Sequence, residues 1–439
     1  MKKLPFTNVH IHVFTTKCAP DSFLKIIPNR LLRKYPKTLK KIIDKNAVRK
    51  LIVMLDRMAK WGNIGSHQRK SLHKYLSFLE EGTKRTQQEV FMSPYELYHS
   101  EYSDVQLIGL SLNMDYMDNK LLPPVRFNTQ LEELKSIKKE YPDNFFPFVC
   151  ADPRAYAGEQ LVNWIKKYFE KGIRSPKSGS VRPYFSGIKL YPALGFFPFD
   201  PRLDELYAYA EENGIPIMTH CTRVGSLYVG DNIESLIPRK VEMIEPNSNH
   251  ATFEEVKKEI HKRIEKYYEV KWIKNNTKGA NDMACDLFGH PQNYVPIMLK
   301  YPKLKICLAH MGGDDQIDLM NSTLEEIKNK KARKIIENDG YNWASLTKQL
   351  MIDYPSLYTD ISYTLYRLND SDFTNKIKDW LDSKDEKGNS LSDRVLFGTD
   401  FYMTEQENQE SALLEKAKVH LGDYMEQMSR INPDRYLNY

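Results

Sequence analysis

The chain of 439 residues has five cysteines, an odd number, and no two of them stand in a CxxC spacing. A framework of paired disulfides and a thiolate zinc site are therefore both disfavoured. Cys150, Cys221 and Cys307 lie inside apolar runs of strand length and read as small buried hydrophobes, which suits a reducing compartment. No run of ~18 apolar residues supports a membrane span. The opening MKKLPFTNVHIHVF has two lysines but no apolar stretch behind them, so it is not read as a signal peptide. The expectation is a soluble, cytoplasmic protein without membrane contact. No repeat and no low-complexity segment is visible, and neither GxGxxG nor GxxxxGK[ST] follows any strand-like run.

Charge is present but unevenly placed. The formal net charge is +6. Between Asp21 and Lys50 ten basic residues face two acidic ones, so that window carries +8 and the remainder −2. No recognised nucleic-acid motif accompanies the window, and a solvated helical face is its simplest reading. No nucleic-acid partner is expected.

The apolar fraction of 41% with 12% aromatic residues is enough for a large core. Strand-like runs alternate with helical ones along the chain. The strands are TNVHIHVF, VQLIGLSLNM (105–114), FFPFVC, SGIKLY, IPIMTHC, LKICLAH, LYTDIS and RVLFGTD. Between them stand helical stretches such as LEELKSIKKEY, EQLVNWIKKYFEKG and RLDELYAYAEENG, the last ending in glycine as a helix end favours. Two long excursions interrupt the alternation, at about 15–104 and 226–288. The first holds FLKIIPNRLLRKY and a short strand-like VRKLIVML; the second holds the charged helix FEEVKKEIHKRIEKYYEVKW. Short strands that are apolar on both faces imply a parallel sheet covered by helices. An open doubly wound sheet normally gathers its ligand at one switch point, whereas a closed (β/α)8 TIM-type barrel gathers side chains from many strand ends at one face.

Polar residues stand singly at those strand ends: His10 and His12 in NVHIHVF, Lys189 in GIKLYP, His220 in PIMTHC, His310 in KICLAHMGG and Asp400 in VLFGTDF. An ionisable side chain in an apolar run costs several kcal/mol unless it is paired or bound to a metal. Their shared position selects the barrel, whose C-terminal face would collect all of them. His10 and His12, two apart on a strand, point to the same side about 7 Å apart along the chain, within reach of one ion. Imidazole nitrogens with a carboxylate suit zinc or another divalent first-row metal.

With these residues in place, the chain resembles the amidohydrolase superfamily, in its amidohydrolase-related branch that also holds non-oxidative decarboxylases. VHIHVF, GIKLYPALGFFPFDP, GIPIMTHC, HPQNYVPIMLKYPKLKICLAHMGG, VLFGTDFYM and the closing INPDRYL carry the resemblance. The two excursions and Thr399, where many relatives have serine, depart from it. The resemblance implies one barrel over 1–439 and one divalent ion, zinc first, on His10, His12, His220 and Asp400. It places His310 just beyond those ligands. The two excursions follow the first and fifth strands, which carry such ligands, so they are expected to cap the strand ends. A second ion would follow only if Lys189 were carbamylated; the surrounding GIKLYP favours a free amine.

The implied chemistry is hydrolysis of a C–N or C–O bond in a small carboxylate-bearing molecule through a metal-activated water, with Asp400, His310 and Lys189 catalytic. The alternative is metal-dependent decarboxylation of an aromatic or unsaturated acid. Arg223, Tyr191 and Arg154 are candidate substrate contacts, although ion pairing describes either arginine as well. His290 is read as a helix cap or a pocket-lining group. GFFPF is read as packing for the excursions. A homodimer is the association that the resemblance suggests.

Overall fold

The computed structural model describes residues 5–26, 78, 80–269 and 277–438. Most of the basic window, the FLKIIPNRLLRKY stretch beyond Ile26, VRKLIVML, His67 and His73 lie outside the described residues.

Chain order gives β1 (Pro5–Ile11), β2 (Asp104–Gly109), β3 (Phe148–Cys150), a hairpin of β4 (Gly172–Arg174) and β5 (Val181–Pro183), then β6 (Gly187–Leu190), β7 (Ile217–Thr219), β8 (Ile306–Leu308), β9 (Leu357–Asp360) and β10 (Val395–Leu396). Setting the hairpin aside, the strands are parallel. One ladder runs β3-β6-β7-β8-β9-β10, and β1 pairs with β2. The two ladders meet at two seams. Bridges Leu107–Phe145 and Leu110–Phe148 link β2 to β3. At the other seam the Val9 amide donates to Phe397 O at 2.9 Å and the Asp400 amide to His10 O at 2.9 Å. The result is the (β/α)8 TIM-type barrel that the alternation predicts.

The strands are shorter than the apolar runs that announce them, because only their middles pair regularly. One inner row is in register across four strands: Lys189, Met218, Cys307 and Tyr358. The three partners of Lys189 join Val9, Ile108, Leu110, Phe146, Phe148 and Leu396 in an inner apolar cluster, sealed by Tyr436 and Leu437 near the C-terminus. Side chains repeat every second residue on a strand. The next layer toward the C-terminal ends therefore holds Tyr191, His220, Asp360 and Gly398, with Asp400 beyond.

Helices cover the barrel. The first described here, α1 (Gln87–Glu101), is followed by α2 (Phe127–Glu140), α3 (Gly158–Phe169) and α4 (Asp204–Glu212). Helix α3 buries Leu161, Val162, Ile165 and Tyr168 at helical spacing, each contributing about 1.5–3 kcal/mol. Gly214, just past α4, takes φ +63°, the left-handed conformation that suits a helix end. Helix α1 packs on β2 and α2, with the Gln87 amide donating to Glu133 Oε1 at 2.7 Å. Residues 87–101 are thus the wall helix between β1 and β2, and the first excursion ends before them.

The second excursion contributes α5 (Ala251–Glu269) and α6 (Thr277–Gly289). Its chain lies on the loops that follow β2 and β6. The amides of Tyr228, Val229 and Ile244 donate to Ala193 O at 3.0 Å, Met117 O at 2.9 Å and Phe199 O at 2.9 Å. Phe197, of the GFFPF cluster, packs edge-on against Phe288 of α6 with ring centroids 4.8 Å apart.

Candidate metal centre

Strand β1 slips register against β2 between Asn8 and Ile11. Asn8 points outward, where its amide donates to Tyr98 Oη at 3.1 Å and Thr399 Oγ1 at 2.8 Å. Val9 belongs to the inner cluster, and the slip lets His10 face inward as well. Such irregularities re-aim side chains next to functional sites. The His10 amide still donates to Asn8 Oδ1 at 3.1 Å.

Two histidines and a carboxylate then meet. His10 Nε2 is 3.4 Å and His12 Nε2 is 3.1 Å from Asp400 Oδ1. The outer nitrogens decide where the protons are. His12 Nδ1 lies 3.0 Å from Leu110 O, and a carbonyl can only accept, so this nitrogen carries the hydrogen. His10 Nδ1 lies 2.8 Å from Asp360 Oδ2 and donates there for the same reason. Burial, reinforced by the charge of Lys189, holds His10 well below its usual range, so the ring is neutral. His10 Nε2 therefore presents a lone pair to a carboxylate oxygen, with His12 Nε2 beside it. Asp400 Oδ1 is buried and has no hydrogen-bond partner among the described residues. A lone pair facing a buried carboxylate oxygen that lacks a donor is an unfavourable arrangement that a cation relieves. Ligand atoms held tetrahedrally at ~2 Å from one ion lie ~3.3 Å apart, close to the separations seen. The residues fit a divalent metal.

The backbone is bent to make this meeting. Asp400 has φ +62° and His310 φ +72°. A side-chain-bearing residue in this region costs about 1–3 kcal/mol and persists where the surroundings enforce it. Gly398 is needed beside them: a Cβ there would come within 2.7 Å of His10 Cβ and 3.3 Å of Ser362 Cβ.

His310 adjoins the cluster with its ring 4.9 Å from that of His10. Its Nε2 faces His220 Nδ1 at 3.1 Å. His220 Nε2 lies 2.7 Å from Val224 O and must donate to it. Burial and Lys189 push His220 down to about 3, so the neutral ring has only a lone pair at Nδ1, which faces His310 Nε2. His220 therefore touches the centre through His310, and the groups whose ligand atoms lie within 4.8 Å of one another do not include it. Tyr191 stacks on His220, ring centroids 4.5 Å apart, and its hydroxyl accepts from the Ser226 amide at 3.0 Å.

Lys189 is fully buried, and its Nζ has no hydrogen-bond partner among the described residues. Burial lowers the ammonium to about 8, while Asp360 and Asp400 pull it back up. The candidate arginines are engaged elsewhere. Arg154 forms a double ion pair with Asp152, at 2.9 and 2.6 Å, and donates to Leu194 O at 2.7 Å. Arg223 donates to Asp286 Oδ2 at 3.0 Å and pairs closely with Asp339, and its guanidinium lies over Trp343. His290 caps a short helix, Nδ1 accepting from the Gln292 amide at 3.2 Å, and its Nε2 is 3.3 Å from Asp339.

Sequence reading passed over Asp360 and Ser362. Their signal was an aspartate closing the apolar run LYTDIS, the same pattern that singled out Asp400.

A profile of the amidohydrolase family matches residues 118–424. A search of curated proteins finds no match. Among solved structures the chain is similar to a 2,6-dihydroxybenzoate decarboxylase from Rhizobium, with 16% identity, 79% of this chain and 87% of that one covered, and TM-score 0.39. It is similar to a 5-carboxyvanillate decarboxylase from Novosphingobium aromaticivorans complexed with manganese and 4-hydroxy-3-methoxy-5-nitrobenzoic acid, with 12% identity, 89% and 93% covered, and TM-score 0.41. An amidohydrolase from Burkholderia multivorans with bound zinc has 10% identity, 79% and 87% covered, and TM-score 0.43. With the family profile spanning well over half its length, the chain belongs to the amidohydrolase family.

Proposed function

We propose that this protein is a metal-dependent hydrolase that cleaves a C–N or C–O bond in a small, carboxylate-bearing molecule. The observation that carries this reading is the convergence of His10 Nε2 and His12 Nε2 on Asp400 Oδ1, a buried oxygen with no hydrogen-bond partner among the described residues. These three would hold the ion, zinc by ligand type, and His220 is the further imidazole at hand. A divalent ion bound there supplies Lewis acidity and lowers the pKa of water from 15.7 to about 7.

The chain's own groups do the rest. Burial raises the Asp400 carboxyl above the ordinary aspartate range, which suits it to take a proton from water and return it to the leaving group. His310, oriented by Ser362 and His220, is the imidazole beside the centre that is placed to relay a proton. The Lys189 ammonium, without a hydrogen-bond partner among the described residues, is a cation available to a substrate carboxylate, because Arg154 and Arg223 are already paired. The second excursion, lying on the loops after β2 and β6, limits the mouth to small molecules.

The test joins metal analysis to product analysis. Purified protein should contain about one divalent ion per chain, and it should hydrolyse members of a panel of carboxylate-bearing amides and lactones until a chelator removes the ion. A protein that binds no metal would overturn the centre. Release of CO2 from aromatic acids with no hydrolysis product would overturn the reaction class.

A further inference from the structure

We propose that Asp360 is a positioning residue for the metal centre, its carboxylate fixing both the tautomer of His10 and the turn that carries His310. The inference rests on the metal-centre reading above and assigns a role to a residue that lies outside the ligand set His10, His12, His220 and Asp400.

Asp360 is fully buried at the end of β9. Its Oδ2 accepts from His10 Nδ1 at 2.8 Å. Its Oδ1 accepts from the amides of His310 and Ser362, each at 3.0 Å. The Ser362 hydroxyl sits between Oδ1 and the imidazoles, 2.8 Å from His310 Nδ1 and 3.1 Å from His10 Nδ1. A carboxylate offers about four acceptor sites; Oδ1 takes three of these donors and Oδ2 the fourth.

That count separates two roles. Asp360, His10 and His310 bring ligand atoms within 4.8 Å of one another, as a second metal site would require. A carboxylate already surrounded by hydrogen-bond donors has little left for an ion, so orientation is its role. A hydrogen bond from the outer nitrogen of a ligating histidine to a carboxylate fixes the tautomer and ring angle, and its loss typically weakens metal binding 10–100-fold. Here the same group also holds the amide of His310 at its left-handed φ of +72°. One side chain thereby ties a ligand on β1 to the histidine after β8.

The isosteric Asp360→Asn variant tests this. The backbone amides of His310 and Ser362 are fixed donors and demand the remaining carbonyl oxygen. The new NH2 then faces His10 Nδ1, and His10 can accept only by moving its proton to Nε2, which removes the lone pair from the centre. Zn2+ affinity is measured by chelator competition on metal-free protein, with circular dichroism and the Tm recorded in parallel. The expected result is a Kd 10–100-fold weaker than wild type, with activity lost at limiting Zn2+ and regained in excess. A folded D360N with the wild-type Kd would overturn the role of Asp360 alone, whereas wild-type protein that binds no Zn2+ would overturn the centre itself. Should D360N not fold, imidazole 15N spectra of metal-free wild type decide: the resonance absent from His10→Gln must report an Nδ1–H tautomer. An Nε2–H tautomer refutes the proposal.

Discussion

Replacing Gly398 by alanine tests how tightly the centre is built. The glycine lies on the inner layer between His10 and Ser362, and its φ is unremarkable, so space alone is at issue. The added Cβ would stand 2.7 Å from His10 Cβ. Carbon atoms in contact sit about 3.5–4.0 Å apart, so one side must give by about 1 Å. The opposite side is closed by Ser362 Cβ at 3.3 Å, and His10 must move. Overpacking of this kind costs about 1–3 kcal/mol, a loss of a few degrees in Tm for a chain of this length. Metal sites tolerate only ±0.2 Å in ligand distance, so a displaced His10 should weaken Zn2+ binding by at least tenfold. Thermal unfolding by circular dichroism and chelator-competition titration measure the two effects. A G398A protein that keeps the wild-type Kd would show that His10 is not held in this gap, and the reasoning would fail.

Other expectations concern charges. Glu410 accepts from Tyr98 Oη and Thr399 Oγ1, both at 2.6 Å, and burial raises its carboxyl to about 7. Between the ordinary glutamate value and about 7 the folded chain keeps a proton that the unfolded chain has lost, so stability falls as pH rises through that window and levels off above it. Glu410→Gln should remove that slope, gaining about 1–3 kcal/mol relative to wild type between about pH 5 and about pH 8 in urea unfolding; a gap that does not change with pH would contradict the shift. Arg223→Met leaves Asp286 and Asp339 facing each other and should cost about 3–5 kcal/mol in chemical denaturation with metal affinity unchanged. A raised KM at unchanged stability would restore Arg223 as a substrate contact. Lys189→Met should abolish turnover while metal content stays at the wild-type level; loss of metal would mark a carbamylated ligand instead.

What could be read from sequence follows the reach of local patterns. The barrel was legible because its eight strands are apolar on both faces, and a helical run stands between most of them. Boundaries were read too long: the FFPFVC run pairs regularly only over Phe148–Cys150, since Phe145 and Phe146 meet β2 at a seam. His10, His12 and Asp400 were visible as ionisable residues interrupting apolar runs, and they do come together. Asp360 carried the same signal and went unread. Ion pairing was legible as a reading for both arginines, but the partners of Arg223 were not. Arg154 finds its carboxylate two residues away, but Arg223 finds Asp286 and Asp339 on distant segments, and no spacing rule relates those positions. The first excursion was drawn too far for a related reason: Gln87–Glu101 has no sharp apolar stripe, and only packing on β2 and α2 shows it to be part of the wall.

The seam between β1 and β10 has a consequence for how the protein comes into being. Synthesis delivers the histidines of β1 long before Asp400, so the growing chain holds two of the three ligands without the carboxylate that completes them. Strands β3 to β10 share a continuous ladder, whereas β10 meets β1 through a few backbone hydrogen bonds and the bridge Ile11–Phe401. An ion held by His10, His12 and Asp400 would act as a latch across that gap, and its binding energy would fall on one of the two seams of the ring. Loading the metal and closing the circle would then be one event, and a cell short of the ion would accumulate rings that are complete in sequence but ajar.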